Sequence, residues 1–372
     1  MAGTAIIQSV ELYKLFISLK EPFVISLGPI EAVQNIVVII RTEDGCAGYG
    51  ECSPYLTING ESVDTCFVVG QYFAKALKGK NALDIAGSIA LMDRIIYANN
   101  SIKSAFDIAL HDVAAQHAGL PLYQFLGGQK DKVLVTDMTI SIGEPEKMKR
   151  DAIKFQQQGF PAIKVKLGEG LEKDVARIKA IREGIGMEHS LRIDANQGWD
   201  TADNAIAVLN ALAPFNIEHC EEPIARWRFM ELSKVSAASP IPIMADECCG
   251  DEHDAERLIA LKACSMINIK LGKSGGLHKG LKMAQLGAAA NIQLQVGGFM
   301  ESRLGMTAAA HLALCNKAIE HCDFDTPLMY TEDPVLGGLV YKEKGVMELP
   351  DIPGLGALID QRYLANAEGV IV

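Results

Sequence analysis

The stretch FPAIKVKLG, residues 160–168, sets two lysines one residue apart inside what otherwise reads as a buried β-strand. Successive strand side chains point to opposite faces, so Ala162, Lys164 and Lys166 share one face while Ile163, Val165 and Leu167 share the other. Two ammonium groups then project together. Burying them without counter-charge is costly, so that face is either solvated or meets something anionic. Three acids further along supply the anion: Asp194, Glu221 and Asp246 each stand at the end of a short apolar run. Three carboxylates converging within a few ångströms repel unless a divalent cation binds them. All-oxygen ligands select a hard ion, and so few of them leave room for water and substrate, which favours Mg2+ over Ca2+ or Zn2+. Lys270, at the end of SMINIK, would face Lys166 across that metal. A carbon acid bound between them can lose a proton to one lysine and regain one from the other. The base must be neutral near pH 7, and a neighbouring ammonium (Lys164) plus Mg2+ would lower its pKa in that direction.

The elements that would converge these residues are legible as a cadence. From about residue 133, eight β-branched runs alternate with segments of helical periodicity: VLVTDMTISI, AIKVKL, SLRIDA, FNIEHC, PIPIMAD, SMINIK, IQLQV and AIEHCDFD. Lys166, Asp194, Glu221, Asp246, Lys270, Gly297 and Asp323 stand at or near their ends, 24 to 28 residues apart, the length of one strand, loop, helix and loop. This spacing predicts successive βα units closing into a barrel, with the polar residues gathered at the C-terminal face of the strands. LEKDVARIKAIREGIG, TADNAIAVLNALA, DEHDAERLIALKA and GGLHKGLKMAQLGAAA read as the sheathing helices, the second with a Thr cap. The first 125 residues read as a separate α+β cap: an antiparallel meander from QSVELYKLFISL and NIVVIIRTEDGCAGYGE, then helices around 61–80 and 101–118. A boundary is expected at LGGQKDK, residues 126–132.

Composition narrows the function. A chain of 372 residues exceeds one ordinary core and suits a barrel of about 220 to 250 residues with a smaller companion. The longest aliphatic run, IVVII at 36–40, is far too short to span a bilayer, and the start, MAGTAIIQSVELYK, lacks the features of a signal peptide, so a cytoplasmic location without membrane partners is expected. A net charge of −11 without a basic cluster argues against nucleic acid as a partner and for a small molecule. Nine cysteines without a CxxC pair suit a reducing compartment, and a homo-oligomer is compatible with this composition. Some signals carry nothing: GKS at 272–274 has Ile267 where a phosphate loop needs glycine, His111, His117, His253 and His311 lack metal-ligand spacing, and Gly45, Gly48 and Gly50 read as hairpin breakers.

Taken together, KVK (164–166), DANQGW (194–199), EEP (221–223), Ala245–Asp246–Glu247, IKLGKSGG (269–276), GYGE (48–51) and GGFMES (297–302) resemble the enolase superfamily, muconate-lactonizing enzyme subgroup. The resemblance implies an α/β fold, a modified (β/α)7β TIM-like barrel over residues 126–349. An N-terminal α+β capping domain over 1–125 would be completed by about 350–372. It also implies Mg2+ held by Asp194, Glu221 and Asp246, Lys166 and Lys270 as acid and base, Lys164 as a cation near the substrate carboxylate, and Asn196 and Glu247 supporting the ligands. In this superfamily a Lys or His base works with Mg2+ that stabilises an ene-diolate. CDFDT narrows the expectation. Asp323 and Asp325, two apart, suit a cationic ligand group, as in dipeptide epimerases, whose paired aspartates receive the α-ammonium of a dipeptide. The alternatives are an o-succinylbenzoate synthase or muconate-type cycloisomerase, and outside enzymes a silent ligand-binding barrel. Phe23, Ile25 and Gly28 of the loop KEPFVISLGPIEA, with Gly297 and Met300, would contact substrate. That loop has no cation between Lys20 and Arg41, so small or hydrophobic dipeptides are expected over Ala-Glu.

Overall fold

Strands β1 (Ile7–Ile25), β2 (Gly28–Thr42) and β3 (Ala47–Cys52) form an antiparallel meander, extended at its β1 edge by the C-terminal strand Gly369–Ile371. The computed structural model describes residues 3–372. The IVVII run is explained by burial on both faces of this sheet. Ile36, Val38 and Ile40 pack with Val10 and Leu12 toward helices α1 (Val63–Leu77), α2 (Ile85–Ile95) and α3 (Asn100–Ala118), while Val37 and Ile39 join Leu15 and Ile17 in the core shared with the rest of the chain. Gly45 does turn the hairpin, but Gly48 and Gly50 lie inside β3 and break nothing. Their role is close approach: a Cβ at Gly48 would stand 2.1 Å from the Ala109 carbonyl oxygen of α3, and one at Gly50 1.9 Å from that of Ala105. Helix α2 lies outside the expected spans; Asp84 caps it by accepting from the Gly87 amide.

The barrel follows. Strands β5 (Met138–Ile140), β6 (Ala162–Lys166), β7 (Ser190–Asp194), β8 (Cys220–Glu221), β9 (Ile243–Ala245), β10 (Met266–Lys270), β11 (Gln293–Gly297) and β12 (Ile319–Asp323) pair in parallel, each with the next, and a bridge from Thr136 to Cys322 joins first to last. Seven longer helices, at 145–157, 171–185, 202–212, 232–238, 252–260, 277–289 and 303–313, connect the eight strands. This is the expected (β/α)7β sheath. The run VLVTDMTISI, read as one strand, is divided. Its β4 part (Leu134–Val135) pairs with 346–347 outside the barrel, and Thr136–Asp137 turn the chain inward before β5.

Two devices from the cap reach the barrel. Buried Glu51 accepts from the Ser302 amide (3.0 Å), the Ser302 hydroxyl (2.7 Å) and the Gly305 amide (2.9 Å), capping helix 303–313, while Asn35 donates to Glu51 and to the Met300 carbonyl. The GYGE and GGFMES motifs are thus two halves of one joint. The second device corrects an expectation: residues 20–32 are not an open loop but the tip of the β1–β2 hairpin, paired from Phe23–Ile30 to Ile25–Gly28. The tip is tied down by Val24, whose amide donates to the Ser141 hydroxyl (2.7 Å) and whose carbonyl accepts from the Ile142 amide (2.9 Å), and by the Ser26 hydroxyl, which donates to the Asn196 carbonyl (2.7 Å). A Cβ at Gly168, where φ is +117°, would lie 2.9 Å from Ser26 Cβ, so glycine there lets the tip sit down.

Candidate active site

The C-terminal mouth of the barrel holds the residues that the sequence singled out. Lys166 and Asp194 are register partners across β6 and β7, as are Asp194 and Glu221 across β7 and β8, and Asp246 directly follows β9. Lys166 Nζ lies 2.7 Å from Asp194 Oδ2, and Lys270 Nζ lies 2.7 Å from Asp246 Oδ2. The two lysines therefore flank the carboxylate row from its two ends. Lys164, 2% exposed, donates to Glu221 Oε2 (2.7 Å) and Asp323 Oδ2 (2.8 Å) and stands 3.2 Å from Asp194. The anion that the lysine pair demanded is these carboxylates. Lys164 sits under them as their counter-ion, where the resemblance had placed it near a substrate carboxylate.

Charge balance at this mouth favours a bound cation. Asp194, Glu221, Glu222, Asp246, Glu247, Asp323 and Asp325 are all buried, against Lys164, Lys166, Lys270 and Lys273. Seven carboxylates outnumber four ammonium groups, and the excess shows in the acidities. Burial, with Asp194 beside it, pushes Glu221 up to about 7, and burial likewise lifts Glu222 to about 7. Asp194 goes the other way: burial opposes its charge, but Lys166 and Lys164 hold it below the usual carboxylate range. The three-carboxylate, all-oxygen donor set fits Mg2+. Burial lowers the pKa of Lys270, but Asp246 and Glu221 outweigh it and raise it, opposite to the direction expected from the sequence. A divalent ion on the same carboxylates would oppose that pull.

Support for the ligands comes from residues expected and unexpected. Asn196 donates its amide to Asp194 Oδ1 (2.8 Å) and its side chain to Glu247 Oε1 (3.0 Å). Asn196, Gln197 and Glu222 all have positive φ, the kind of backbone strain that marks the ends of these strands as constrained. Sequence reading missed Glu222, which accepts from the Asp246 amide (2.7 Å) and the Cys248 amide (3.1 Å), and Lys273, which binds both the Asp246 carboxylate (2.5 Å) and its carbonyl. It also missed Asn268, which donates to Glu221 Oε1 (2.8 Å), and Gln295, 3.5 Å from Glu221 Oε2. A signal was available: Asn268 and Gln295 lie two residues before Lys270 and Gly297, as Lys164 does before Lys166, and so face the same interior.

The expected substrate contacts divide. Asp323 is held by Lys164, and Asp325 accepts from the Thr139 amide (2.6 Å), with burial and neighbouring Asp323 pushing it up to about 7. Ile25 is buried at the hairpin tip itself, and Gly28, its register partner, closes the turn at φ +123°. Gly297 leaves no room for a Cβ, which would meet Asn268 Oδ1 at 2.9 Å. Met300 lines a cleft of about 530 Å3 between hairpin and cap, with Leu27, Pro29 and Tyr55. Phe23 is placed elsewhere. It borders a side cleft of about 500 Å3 with Met138, Phe155 and Phe160, because the strand beyond the 18–23 bulge leans on helix 145–157. Phe299, not singled out by the sequence, lays its ring 5.0 Å from Lys270 Nζ and stacks on Tyr55 at 6.0 Å.

Residues 147–363 match the enolase C-terminal domain-like family, and residues 9–127 match the mandelate racemase / muconate lactonizing enzyme N-terminal domain. The D-Ala-D/L-Ala epimerase of Cytophaga hutchinsonii is 54% identical over 99% of this chain and 100% of its own length. The hydrophobic dipeptide epimerase of Enterococcus faecalis is 41% identical over 91% of this chain and 96% of its own. Among solved structures, the dipeptide epimerase from Cytophaga hutchinsonii complexed with Mg and the dipeptide D-Ala-L-Val superposes with a TM-score of 0.97, covering 99% of this chain and 100% of that one at 54% identity. With both of its domains matched and its carboxylates and lysines gathered at one barrel mouth, the chain belongs to the enolase superfamily.

Proposed function

We infer that the protein is a Mg2+-dependent isomerase that epimerises a dipeptide at an α-carbon. The observation that carries this is the placement of Lys166 and Lys270 on opposite ends of one carboxylate row, each 2.7 Å from a different acid. Relatives along the full length that act on dipeptides, and related structures holding Mg and a dipeptide, support it. Asp194, Glu221 and Asp246 would hold Mg2+, which supplies a Lewis acid for the negative charge that develops on the substrate carboxylate. Lys166 takes the α-proton from one face of the carbon, and Lys270 returns a proton to the other; in the reverse direction the roles exchange. Lys164 keeps Glu221 and Asp194 fixed, and the hairpin tip over the mouth excludes water. Asp323 and Asp325 receive the substrate's α-ammonium.

Among the described residues no helix is long and apolar enough to cross a membrane; a cytoplasmic site of action remains part of this reading. So does the division into a cap, 1–125 with 350–372, and a barrel, 126–349. The function is tested by incubating an L,L-dipeptide panel with enzyme and Mg2+ in D2O. Deuterium at one α-carbon together with a new diastereomer is expected. Absence of exchange across the panel overturns the reading.

A further inference from the structure

The opposite, N-terminal mouth of the barrel opens on a cavity of about 520 Å3 lined by Asp137, Ser190, Arg192, Glu218 and His321. We propose that this floor is a second metal site, taking a zinc-class divalent cation on Glu218, His219 and His321, separate from the carboxylate site at the other end. One ligand atom from each of the three lies within 4.8 Å of the others, a spacing that a single ion can draw together. Glu218 Oε1 and His321 Nε2 are 3.5 Å apart, close to the separation of two ligands on one tetrahedral ion, and the two imidazole rings stand 5.5 Å apart between centroids. Two imidazoles and one carboxylate select Zn2+, Co2+ or Ni2+, not Mg2+, so the two mouths would sort their metals by ligand type.

A second observation points to a ligand here. His219 is 1% exposed, and its Nδ1 is buried without a hydrogen-bond partner, a costly arrangement for a side chain that serves packing alone. The present occupant of the other two ligands is a guanidinium: Arg192 donates to Glu218 through Nε (3.1 Å) and to His321 Nδ1 (2.8 Å), while its remaining nitrogen reaches Asp137 Oδ2 (3.0 Å). That bond fixes His321 with its proton on Nε2, so a metal arriving at Nε2 requires Arg192 to let go and the ring proton to move to Nδ1. The chain provides for the retreat. Asp137 Oδ1 is buried and unpartnered, so Arg192 can turn fully onto Asp137 as a two-bond pair and release Glu218 and His321. The ion thus takes the place of the guanidinium on Glu218 and His321, while Arg192 keeps its own charge paired on Asp137. Glu218 and His219 precede β8 and His321 lies in β12, on opposite sides of the barrel, so the ion would tie its floor together.

The test uses full-length enzyme saturated with Mg2+. Crystals soaked with zinc chloride are expected to show an anomalous-difference peak at the zinc edge between Glu218, His219 and His321. In solution, zinc is expected to raise Tm in the presence of excess Mg2+, and Glu218→Gln and His321→Gln are each expected to weaken zinc binding roughly tenfold or more. Zinc density only at cysteines or at Asp194, Glu221 and Asp246 overturns the site. A zinc-dependent Tm shift that both variants retain overturns it as well. If His321→Gln fails to fold, the Glu218→Gln titration and the wild-type anomalous map decide.

Discussion

The two mouths of the barrel are built from the same strands, and both are charged, yet they handle charge differently. At the C-terminal mouth carboxylates outnumber lysines and are stacked side by side on adjacent strands, and burial, with neighbouring Asp194 and Asp246 adding to it, leaves Glu221 and Glu222 pushed up to about 7. At the N-terminal mouth one guanidinium, Arg192, bridges Asp137, Glu218 and His321; it helps to bring Glu218 down to about 2, while burial and nearby Asp323 push Asp137 well above the usual carboxylate range, so one cation faces one charged acid. The first mouth is electrostatically unfinished until a cation and a substrate arrive; the second is closer to self-balanced. Function follows the imbalance.

That contrast breaks first at the lysines. Lys166→Ala and Lys270→Ala are each expected to lower kcat for epimerisation by about 10²–10⁴-fold or more while Mg2+ affinity stays near wild type by calorimetry. Substantial turnover by either variant would end the two-lysine assignment. A sharper form uses D2O exchange from each epimer separately, since removing one lysine should silence proton removal from one epimer before the other. The carboxylates come next. Asp194→Ala should weaken Mg2+ binding by roughly tenfold or more, because one of three ligands is lost while Lys166 and Lys164 lose their partner. An unchanged Mg2+ titration would remove Asp194 from the ligand set.

At the other mouth the expected effect is on stability alone. Glu218→Gln in zinc-free buffer should destabilise the fold by about 1–3 kcal/mol at pH 7, through the loss of charge-assisted bonds to Arg192, and leave kcat, measured with Mg2+, within about twofold. The sign of the pH dependence follows from the acidity. The folded pKa of Glu218 is depressed, to about 2, by Arg192 and by the Ser190 hydroxyl against the cost of burial. Its contribution is therefore complete above the unfolded value of about 4.3 and is lost as pH falls toward about 2. Wild type and variant should converge there in urea-unfolding experiments. A kcat loss comparable with that of the lysine variants would mean that the two mouths are not independent.

How much of this the sequence disclosed depended on where along each strand the residue lies. The strand ends were legible because charge at the end of an apolar run breaks a pattern and recurs at a fixed interval, as Lys166, Asp194, Glu221, Asp246 and Lys270 do. The layer two residues earlier obeys the same alternation: Lys164, Arg192, His219, Asn268, Gln295 and His321, with only Met244 apolar. Only Lys164 drew attention, since a single polar residue inside a run of apolar ones reads as noise unless the register of all strands is known. Lys273 and Glu222 were hidden for another reason. Glu222 lies in the turn after β8 and Lys273 in the short helix Leu271–Ser274 after β10, and which backbone amide or carbonyl they meet is a property of those connections, not of any periodicity. Helix α2 escaped because its capping Asp84 precedes a segment with two residues of low helix propensity, Gly87 and Ser88, which tertiary packing overrides.

The smallest expected effect concerns which dipeptide the charged mouth accepts, and it separates the mouths by their covers. The C-terminal mouth lies beneath the hairpin tip, whose residues between Phe23 and Gly28 carry no charge, and the neighbouring wall is Leu27, Pro29, Tyr55 and Met300. Lys20 is the nearest cation on the arm, and its ammonium is already committed to the Leu328 carbonyl (2.9 Å). A substrate side-chain carboxylate would lose its hydration under the tip and find no partner there, whereas a methyl or isopropyl group loses nothing polar. Phe23, which faces the side cleft with Phe155 and Phe160, does not enter this comparison, so the selection falls to Ile25, Leu27 and Met300. Ala-Ala and Ala-Val dipeptides should exceed Ala-Glu by roughly tenfold or more in kcat/KM when the substrates compete at equal concentration. Introducing a cation at the tip, Ile25→Arg, should narrow that gap by improving Ala-Glu and weakening Ala-Val. If Ala-Glu is already preferred by the wild type, the selection lies with a cation outside the hairpin, and the uncharged tip does not govern specificity.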